Sequence, residues 1–309
     1  MSRGALRLMQ LMAVVLGLLA ALEVLCRVQP EGLAAVAHRV RFKLALLHAR
    51  SPVDFVALGS SRSNDGLNPA LLGLGSGFSA ATPSSSLPTL EFFAANLGPQ
   101  RRVLVELSGP MSASTPMDAD DAAAPGAFDG DPLGAWLHAH SALLAVRRAF
   151  ALENLPRVFA IVFASRFDGS EWFRSRQLTE TFRPPVAPEG VHDAAAWAPA
   201  PVRETPPATL DAEGERVAEG FGRAVTALRA QGAVVTLVAP PLGAGWRETE
   251  CTPELKAQRA EVARRVRAPF LDFTCAEVDE RWFVDGQHLS SPGRAQYSKV
   301  LGEALRALP

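Results

Sequence analysis

The chain has few of the residues and none of the motifs by which nucleic-acid-binding, metal-binding and nucleotide-binding proteins are commonly recognised. Its 309 residues include three cysteines, six histidines and a single tyrosine, and 31 Lys and Arg against 32 Asp and Glu give a formal net charge of −1. This balance supplies no cationic field of the kind that attracts nucleic acid. There is no Cys-x-x-Cys pair and no His-x-x-x-His pair, and the Gly-rich stretch at 73–77 lacks the Lys of a phosphate-binding loop. We therefore expect no nucleic-acid partner, no metal and no cofactor.

One stretch of the sequence is apolar over nearly the length that a helix needs to cross a membrane. Residues 8–26 are interrupted only by Gln10 and Glu23, and at about 1.5 Å per helical residue they nearly span a hydrocarbon core of about 30 Å. Two arginines and no acidic residue precede the run, which places the N-terminus in the cytoplasm. We predict a transmembrane signal anchor over 1–28 in a bacterial-type cell membrane, with residues 30–309 periplasmic.

A cleaved signal peptide is the alternative for this segment. The run is short for a membrane span, and Ala20-Ala21 supplies small residues near its end. Residues 29–50 mix four basic residues with Leu, Ala and Val, a pattern typical of a juxtamembrane amphipathic helix.

Two of the three cysteines, Cys251 and Cys275, lie in the part of the chain that we expect to be exported. An oxidising compartment permits a disulfide between them. Two buried free thiols are the other possibility, and the distance between the residues decides which holds.

Apolar runs alternate with segments of helical periodicity on both sides of the middle of the chain. Short runs that suit buried parallel strands lie at 53–58, 102–107, 233–238 and 269–273. Helical spacing is found at 87–97, within 210–231, from 252, and from 291 to about 307. We predict one three-layer α/β/α domain with a parallel sheet over 51–309, carrying a loop-rich helical insertion at about 112–208.

The turn Gly59-Ser60-Ser61 follows the first predicted strand directly. In doubly wound sheets, ligands bind beyond the carboxyl ends of the strands, so Ser61 is a candidate nucleophile. Serine and glycine are also ordinary loop residues, and a polar loop without function is the alternative.

A serine nucleophile needs a histidine base that a carboxylate orients. Of the six histidines, only His288 follows a carboxylate at short spacing just ahead of a predicted helix, in the segment Val284-Asp285-Gly286-Gln287-His288. Asp285 and His288 can therefore converge on one point. The alternative is a loop in which both side chains satisfy local backbone groups.

Taken together, the two motifs resemble a known family. A Gly-Ser-Ser-Arg after the first strand and an Asp-x-x-His before the last helix are similar to the SGNH hydrolase superfamily, which has a flavodoxin-like fold. The likeness is to membrane-anchored extracytoplasmic branches, such as the DltD-like proteins and the alginate O-acetylation proteins of the AlgJ and AlgX type, which have Gly-Ser-Ser where secreted esterases have Gly-Asp-Ser. The resemblance implies Ser61 as the nucleophile, Ser60 at the aspartate position, and Asp285 and His288 as the partners.

The resemblance covers about 52–110 and 210–307 and is incomplete at the oxyanion hole. It implies donors from the amide of the nucleophile, a glycine in a second block and an asparagine in a third. Residues 78–84 contain no glycine, and Leu107-Ser108-Gly109-Pro110 contains no asparagine. The hydroxyl of Ser108 and the amide of Gly109 are the candidate substitutes, because both follow the second predicted strand.

Two functions remain open. The first is an extracytoplasmic serine esterase or O-acyltransferase, acting on acetyl groups of an envelope polysaccharide or related acylated glycan, with a membrane-bound partner that supplies acyl groups. The second is a non-catalytic accessory protein of an envelope polysaccharide modification or assembly machinery. Arg62, next to the candidate nucleophile, suits either an anion-holding role or a salt bridge that anchors the loop.

Overall fold

The computed structural model describes residues 7, 10, 12–21, 43–44, 47–48, 52–82, 85–108, 194–200 and 207–308. The chain divides into two compact units, residues 1–51 with 124–174 and residues 52–123 with 175–309. The predicted juxtamembrane helix at 29–50, and the insertion at about 112–208, lie largely outside the described residues.

The described part of the N-terminal segment consists mainly of residues 12–21, which are helical and exposed. Among the described residues, no helix combines the length and the apolar character that crossing a membrane requires. The anchor predicted for 1–28 thus rests on the sequence pattern alone.

The second unit is built on a five-stranded sheet with the order β2-β1-β3-β4-β5. All four neighbouring pairs are parallel. The strands are β1 Phe55–Leu58, β2 Gly77–Ser79, β3 Arg102–Glu106, β4 Val234–Ala239 and β5 Phe270–Asp272. This confirms the predicted α/β class and the four predicted strands, and the order is that of doubly wound, flavodoxin-like sheets.

Six helices of the second unit are described. They are α1 Ser61–Gly66, α2 Leu87–Asn96, α3 Ala212–Ala230, α4 Ala244–Glu250, α5 Pro253–Arg265 and α6 Ser291–Ala307. Side-chain caps fix several of their starts: Asp211, Thr252 and Ser290 accept from the amides of Gly214, Leu255 and Gly293. The four longest helices confirm the helical segments expected from the sequence.

Helices cover both faces of the sheet. One face and helix α6 form a single hydrophobic cluster that includes Phe55, Leu104, Leu271, Tyr297 and Leu301. Because side chains alternate along a strand, the neighbouring buried residues of β1, β3 and β4 point to the other face. On that side α3 packs on α2, α5 and β4, so the unit has three layers.

The topology sets the position of the site. All strands run in the same direction, so the turn after β1, the end of β3 and the segment after β5 leave the sheet at one edge. The candidate residues of the sequence come from these three places.

Candidate active site

The turn that carries Ser61 is a tight connection between β1 and α1. Ser60 caps α1, and its side chain accepts from the amide of Arg62 at 3.2 Å. Gly59 is required by close approach, since a Cβ atom there would lie 2.5 Å from Glu106 Oε2 and 2.7 Å from Ser63 Oγ. The first residue of α1, Ser61, is thereby held at the carboxyl edge of the sheet.

The second half of the site is a compact loop between Phe283 and Leu289, which pair in an isolated antiparallel bridge. The amide of Val284 donates to the carbonyl of His288 at 2.8 Å. Gly286 has φ +74°, a left-handed conformation that favours glycine. The loop therefore folds back on itself and brings Asp285 beside His288.

The structure brings Ser61, His288 and Asp285 together, although 227 positions separate the first two. The Nε2 atom of His288 lies 2.9 Å from Ser61 Oγ. On the other side of the ring, Nδ1 lies 2.8 Å from Asp285 Oδ2 and 2.9 Å from Oδ1. These distances are those of a nucleophile, a base and a carboxylate in series.

The electrostatics of Asp285 suit the orienting role. Partial burial raises the pKa of this carboxyl. Hydrogen bonds from the imidazole and the amide of His288, the charge of His288 and a hydrogen bond from the amide of Gln287 together lower it by more, so the net pKa lies below its usual value. An ionised Asp285 favours the tautomer in which Nδ1 carries the proton, which leaves the lone pair of Nε2 for the hydroxyl of Ser61.

A fourth residue, Glu106 at the end of β3, lies beneath the turn that carries Ser61. Its exposed fraction is 1%, and it accepts from the amide of Ser60 at 2.8 Å, the hydroxyl of Ser60 at 2.6 Å and the amide of Ser63 at 3.2 Å. The hydroxyl of Ser108 also donates to it. Sequence reasoning missed Glu106; the available signal was a single acidic residue within the apolar run at 102–107.

The structure describes one of the two candidate oxyanion donors predicted from the sequence. The hydroxyl proton of Ser108 is directed to Glu106, and Gly109 lies outside the described residues. In the second block, the amides of Ala80 and Thr82 donate to Ala57 and Gly59 and so extend the pairing of β2 with β1. The role predicted for Ser108 and Gly109 stays a prediction.

The amide of Ser61 is a further candidate for an oxyanion donor. The amides of Arg62 and Ser63 donate to Ser60 Oγ and Glu106 Oε2, whereas that of Ser61 has no acceptor among the described residues. It lies beside the Oγ atom that would attack a carbonyl carbon, where an oxyanion donor is needed.

Arg62 forms no salt bridge within the described part of the chain. Its Nη1 atom is buried and has no hydrogen-bond partner there. The loop-anchoring salt bridge considered from the sequence is thus not found among these residues.

The structure pairs Cys251 with Cys275 in a disulfide, with the two Cα atoms 5.4 Å apart. This separation lies within the range that the bond requires. The bridge connects the end of α4 to the segment that follows β5 and leads to the loop of Asp285 and His288.

An exposed aromatic side chain flanks that loop. Trp246 on α4 is 44% exposed, and a Cβ atom at Gly286 would lie 3.1 Å from its Cδ1 atom. The amide of Gly243 donates to the carbonyl of Gly286 at 2.7 Å, which ties the start of α4 to the loop. The exposed indole of Trp246 therefore lies next to Gly286, the residue that follows Asp285.

No protein-family model matches the chain, and a comparison with curated proteins finds no significant match. The function is therefore inferred from the geometry of the site and from the two sequence motifs that supply it.

Proposed function

We propose that the chain is an extracytoplasmic serine esterase or O-acyltransferase that acts on acetyl groups of an envelope glycan. The observation that carries this proposal is the 2.9 Å contact between Ser61 Oγ and His288 Nε2. It lies at the carboxyl edge of a doubly wound sheet, where such folds bind ligands. The motifs around both residues, which resemble those of the SGNH hydrolase superfamily, support the same chemistry.

The proposed reaction has two halves. Nε2 of His288 takes the proton of Ser61 as Oγ attacks the acyl carbonyl carbon, while Asp285 stabilises the imidazolium. The amide of Ser61 donates to the oxyanion of the tetrahedral intermediate. His288 then returns the proton to the departing alcohol oxygen, which leaves Ser61 acylated.

The second half decides between hydrolysis and transfer. His288 deprotonates either water or a hydroxyl group of a glycan, and the resulting oxygen attacks the acyl carbonyl carbon. The bond to Ser61 Oγ breaks, and Oγ recovers its proton from His288. Water gives a free acid, and a glycan hydroxyl gives a new ester.

The cellular setting is part of the proposal and depends on the sequence. The apolar run at 8–26 and the basic residues before it support an anchored domain outside the cytoplasm. The disulfide between Cys251 and Cys275 is compatible with an oxidising compartment. We propose that a membrane-bound partner delivers the acyl groups.

Turnover of p-nitrophenyl acetate by the full chain tests the proposal. Ser61→Ala should lower kcat at least roughly 10³-fold, because the nucleophile is lost. Ser76→Ala is the matched control. Ser76 is exposed and precedes β2, so it lies at the amino-terminal ends of the strands, away from Ser61. Equal turnover in Ser61→Ala and the unmodified chain would refute the proposal.

A non-catalytic accessory protein is the second candidate. One observation favours it: the amide of Ser61 is the one free oxyanion donor identified among the described residues, and loss of a single donor costs roughly 10²–10³ in rate. This candidate predicts that the unmodified chain and the Ser61→Ala variant bind acetylated oligosaccharides equally well, and that neither shows measurable turnover.

A further inference from the structure

The carboxylate of Glu106 is a buried acceptor that the proposed reaction does not use directly. Oε2 receives the amides of Ser60 and Ser63, and Oε1 receives the hydroxyls of Ser60 and Ser108. No basic side chain pairs with Glu106 in the described part of the chain. Its charge is therefore stabilised by these four neutral donors.

This donor set suits a carboxylate. A carboxylate accepts all four hydrogen bonds at once, whereas a glutamine would accept only the two amides and would donate its NH₂ hydrogens to the oxygens of Ser60 and Ser108, whose hydroxyl protons would both have to turn away. Hydrogen bonds to an ionised acceptor are also roughly twice as strong as those between neutral groups. Glu106 thus fixes the backbone on both sides of Ser61, which sets the direction of the Ser61 hydroxyl.

A small cavity adjoins Glu106. It has a volume of about 10 Å³ and is lined by Glu106, Ser63, Tyr297 and apolar residues of β1, β3, β4 and α6. This volume is close to the ~10–15 Å³ that one water molecule needs. Three of the lining side chains are polar, and a buried water usually makes about three hydrogen bonds.

The hydroxyl of Tyr297 supplies an independent sign that this cavity holds a ligand. Tyr297 is buried, and its Oη atom has no hydrogen-bond partner among the described residues. Buried tyrosine hydroxyls normally have a partner. Burial, followed by the negative charges of Glu106 and Asp272, raises the pKa of Tyr297 well above its usual value, so the group remains a proton donor.

We propose that Glu106 is an anionic positioning residue for Ser61, and that one water bound between Glu106, Ser63 and Tyr297 completes its hydrogen bonding. Tyr297 donates to the water, and the water donates to Glu106 and to Ser63 Oγ. The positioning role rests on the proposed function, because it takes Ser61 as the nucleophile. The water site does not depend on that function.

Kinetics of the isosteric variant Glu106→Gln test the positioning role. Misplacement of a reacting group by about 1 Å costs roughly 10²-fold, so we expect kcat for p-nitrophenyl acetate to fall by about that factor while KM is unchanged. Asp272→Asn is the control, since Asp272 is an equally buried carboxylate at the end of β5, two strands away from β3, where it pairs with Arg259. Both variants should lose thermal stability, but only Glu106→Gln should lose kcat.

A milder variant covers the case in which Glu106→Gln does not fold. Ser60→Ala removes one hydroxyl donor and keeps the carboxylate, and it should lower kcat roughly tenfold at unchanged KM. Full kcat in a folded Glu106→Gln, or full kcat in Ser60→Ala where Glu106→Gln does not fold, would overturn the positioning role. If instead Ser61→Ala is as active as the unmodified chain, the proposed function fails and not the role of Glu106 alone.

A crystal structure of the full chain tests the water site. We expect density for one water within hydrogen-bonding distance of Tyr297 Oη, Ser63 Oγ and the carboxylate of Glu106. An empty cavity, or a direct hydrogen bond from Tyr297 to Glu106, would overturn the water site.

Discussion

Asp285 accepts hydrogen bonds from three donors of its own loop, and its ionised state is favoured accordingly. We expect Asp285→Asn to lower kcat by roughly 10⁴-fold, because an amide does not select the tautomer of His288 that leaves Nε2 free. The loss should extend over the whole pH range in which the unmodified chain is active. A pH profile of kcat for both proteins measures it, and a loss confined to acidic pH would contradict this role.

The same carboxyl also links stability to pH. Its pKa is lower in the folded than in the unfolded chain, so its contribution to the free energy of unfolding is complete above the unfolded value of about 3.9. It is lost as the pH falls through the lower, folded value. Unfolding by urea at several pH values should therefore show a stability difference from Asp285→Asn that shrinks only in acid.

Tyr297 provides a prediction at the other end of the pH scale. It is the only tyrosine of the chain, and its pKa is raised by burial and by Glu106 and Asp272. Its protonated form contributes stability that is fully present below about pH 10, the unfolded pKa, and that is lost as the pH rises through the folded pKa. Ultraviolet absorbance should show phenolate forming together with unfolding; phenolate in the folded chain near pH 10 would contradict the burial.

The sequence pointed to the three residues that meet at the carboxyl edge of the sheet, but not to the residue that holds the turn of Ser61. Ser61, Asp285 and His288 stand out because each follows a strand or precedes a helix within a short polar motif. Glu106 does not stand out, because a single acid at the end of an apolar run has the pattern of an ordinary strand end. Only the register of β3 beside β1 shows that it lies under the turn that carries Ser61.

A substitution at Gly59 tests the close packing of the turn that carries Ser61. A Cβ atom there would lie 2.5 Å from Glu106 Oε2, so Gly59→Ala must displace Glu106 or the turn. We expect a loss of about 1–3 kcal/mol in the free energy of unfolding, together with a fall in kcat. Gly222→Ala on α3 is the control, because a Cβ atom there meets nothing within 4 Å and should add up to about 1 kcal/mol of stability. Wild-type kcat and stability in Gly59→Ala would contradict the close packing.

Helix α4 carries an exposed aromatic side chain that we expect to contact the glycan. Trp246 is exposed beside the loop of Asp285 and His288, and an exposed aromatic face provides apolar contact area for a sugar ring. Trp246→Ala should raise KM for an acetylated oligosaccharide severalfold and leave the turnover of p-nitrophenyl acetate unchanged. Trp246→Phe should retain most of the affinity. A fall in turnover of the small ester would instead indicate a structural role for the indole.

The elements that escaped prediction are the short ones. The longer helices were predicted to within a few residues because caps such as Asp211, Thr252 and Ser290 begin them. Strand β2 has three residues and begins with glycine, so it has neither the length nor the composition of a strand pattern. It forms by pairing with β1 at the edge of the sheet, a tertiary contact that a local pattern does not contain.

At the scale of the whole molecule, the site depends on the parallel topology. Residues 227 positions apart meet because the strands that carry or precede them all end at one edge of the sheet. That juxtaposition was predictable from the parallel direction of the strands and the positions of the motifs. The orientation of Ser108 was not, because it depends on the buried carboxylate of Glu106.

Covalent labelling of the full chain tests the central claim most directly. A fluorophosphonate should phosphonylate Ser61, because this probe reacts with a serine activated by a neighbouring base. Mass spectrometry of the digested chain should find the adduct on the peptide that contains Ser61, with no adduct in Ser61→Ala and a strongly reduced rate in His288→Ala. An unlabelled chain, an adduct on another residue, or full labelling of His288→Ala would contradict the assignment of Ser61, His288 and Asp285 as a catalytic triad.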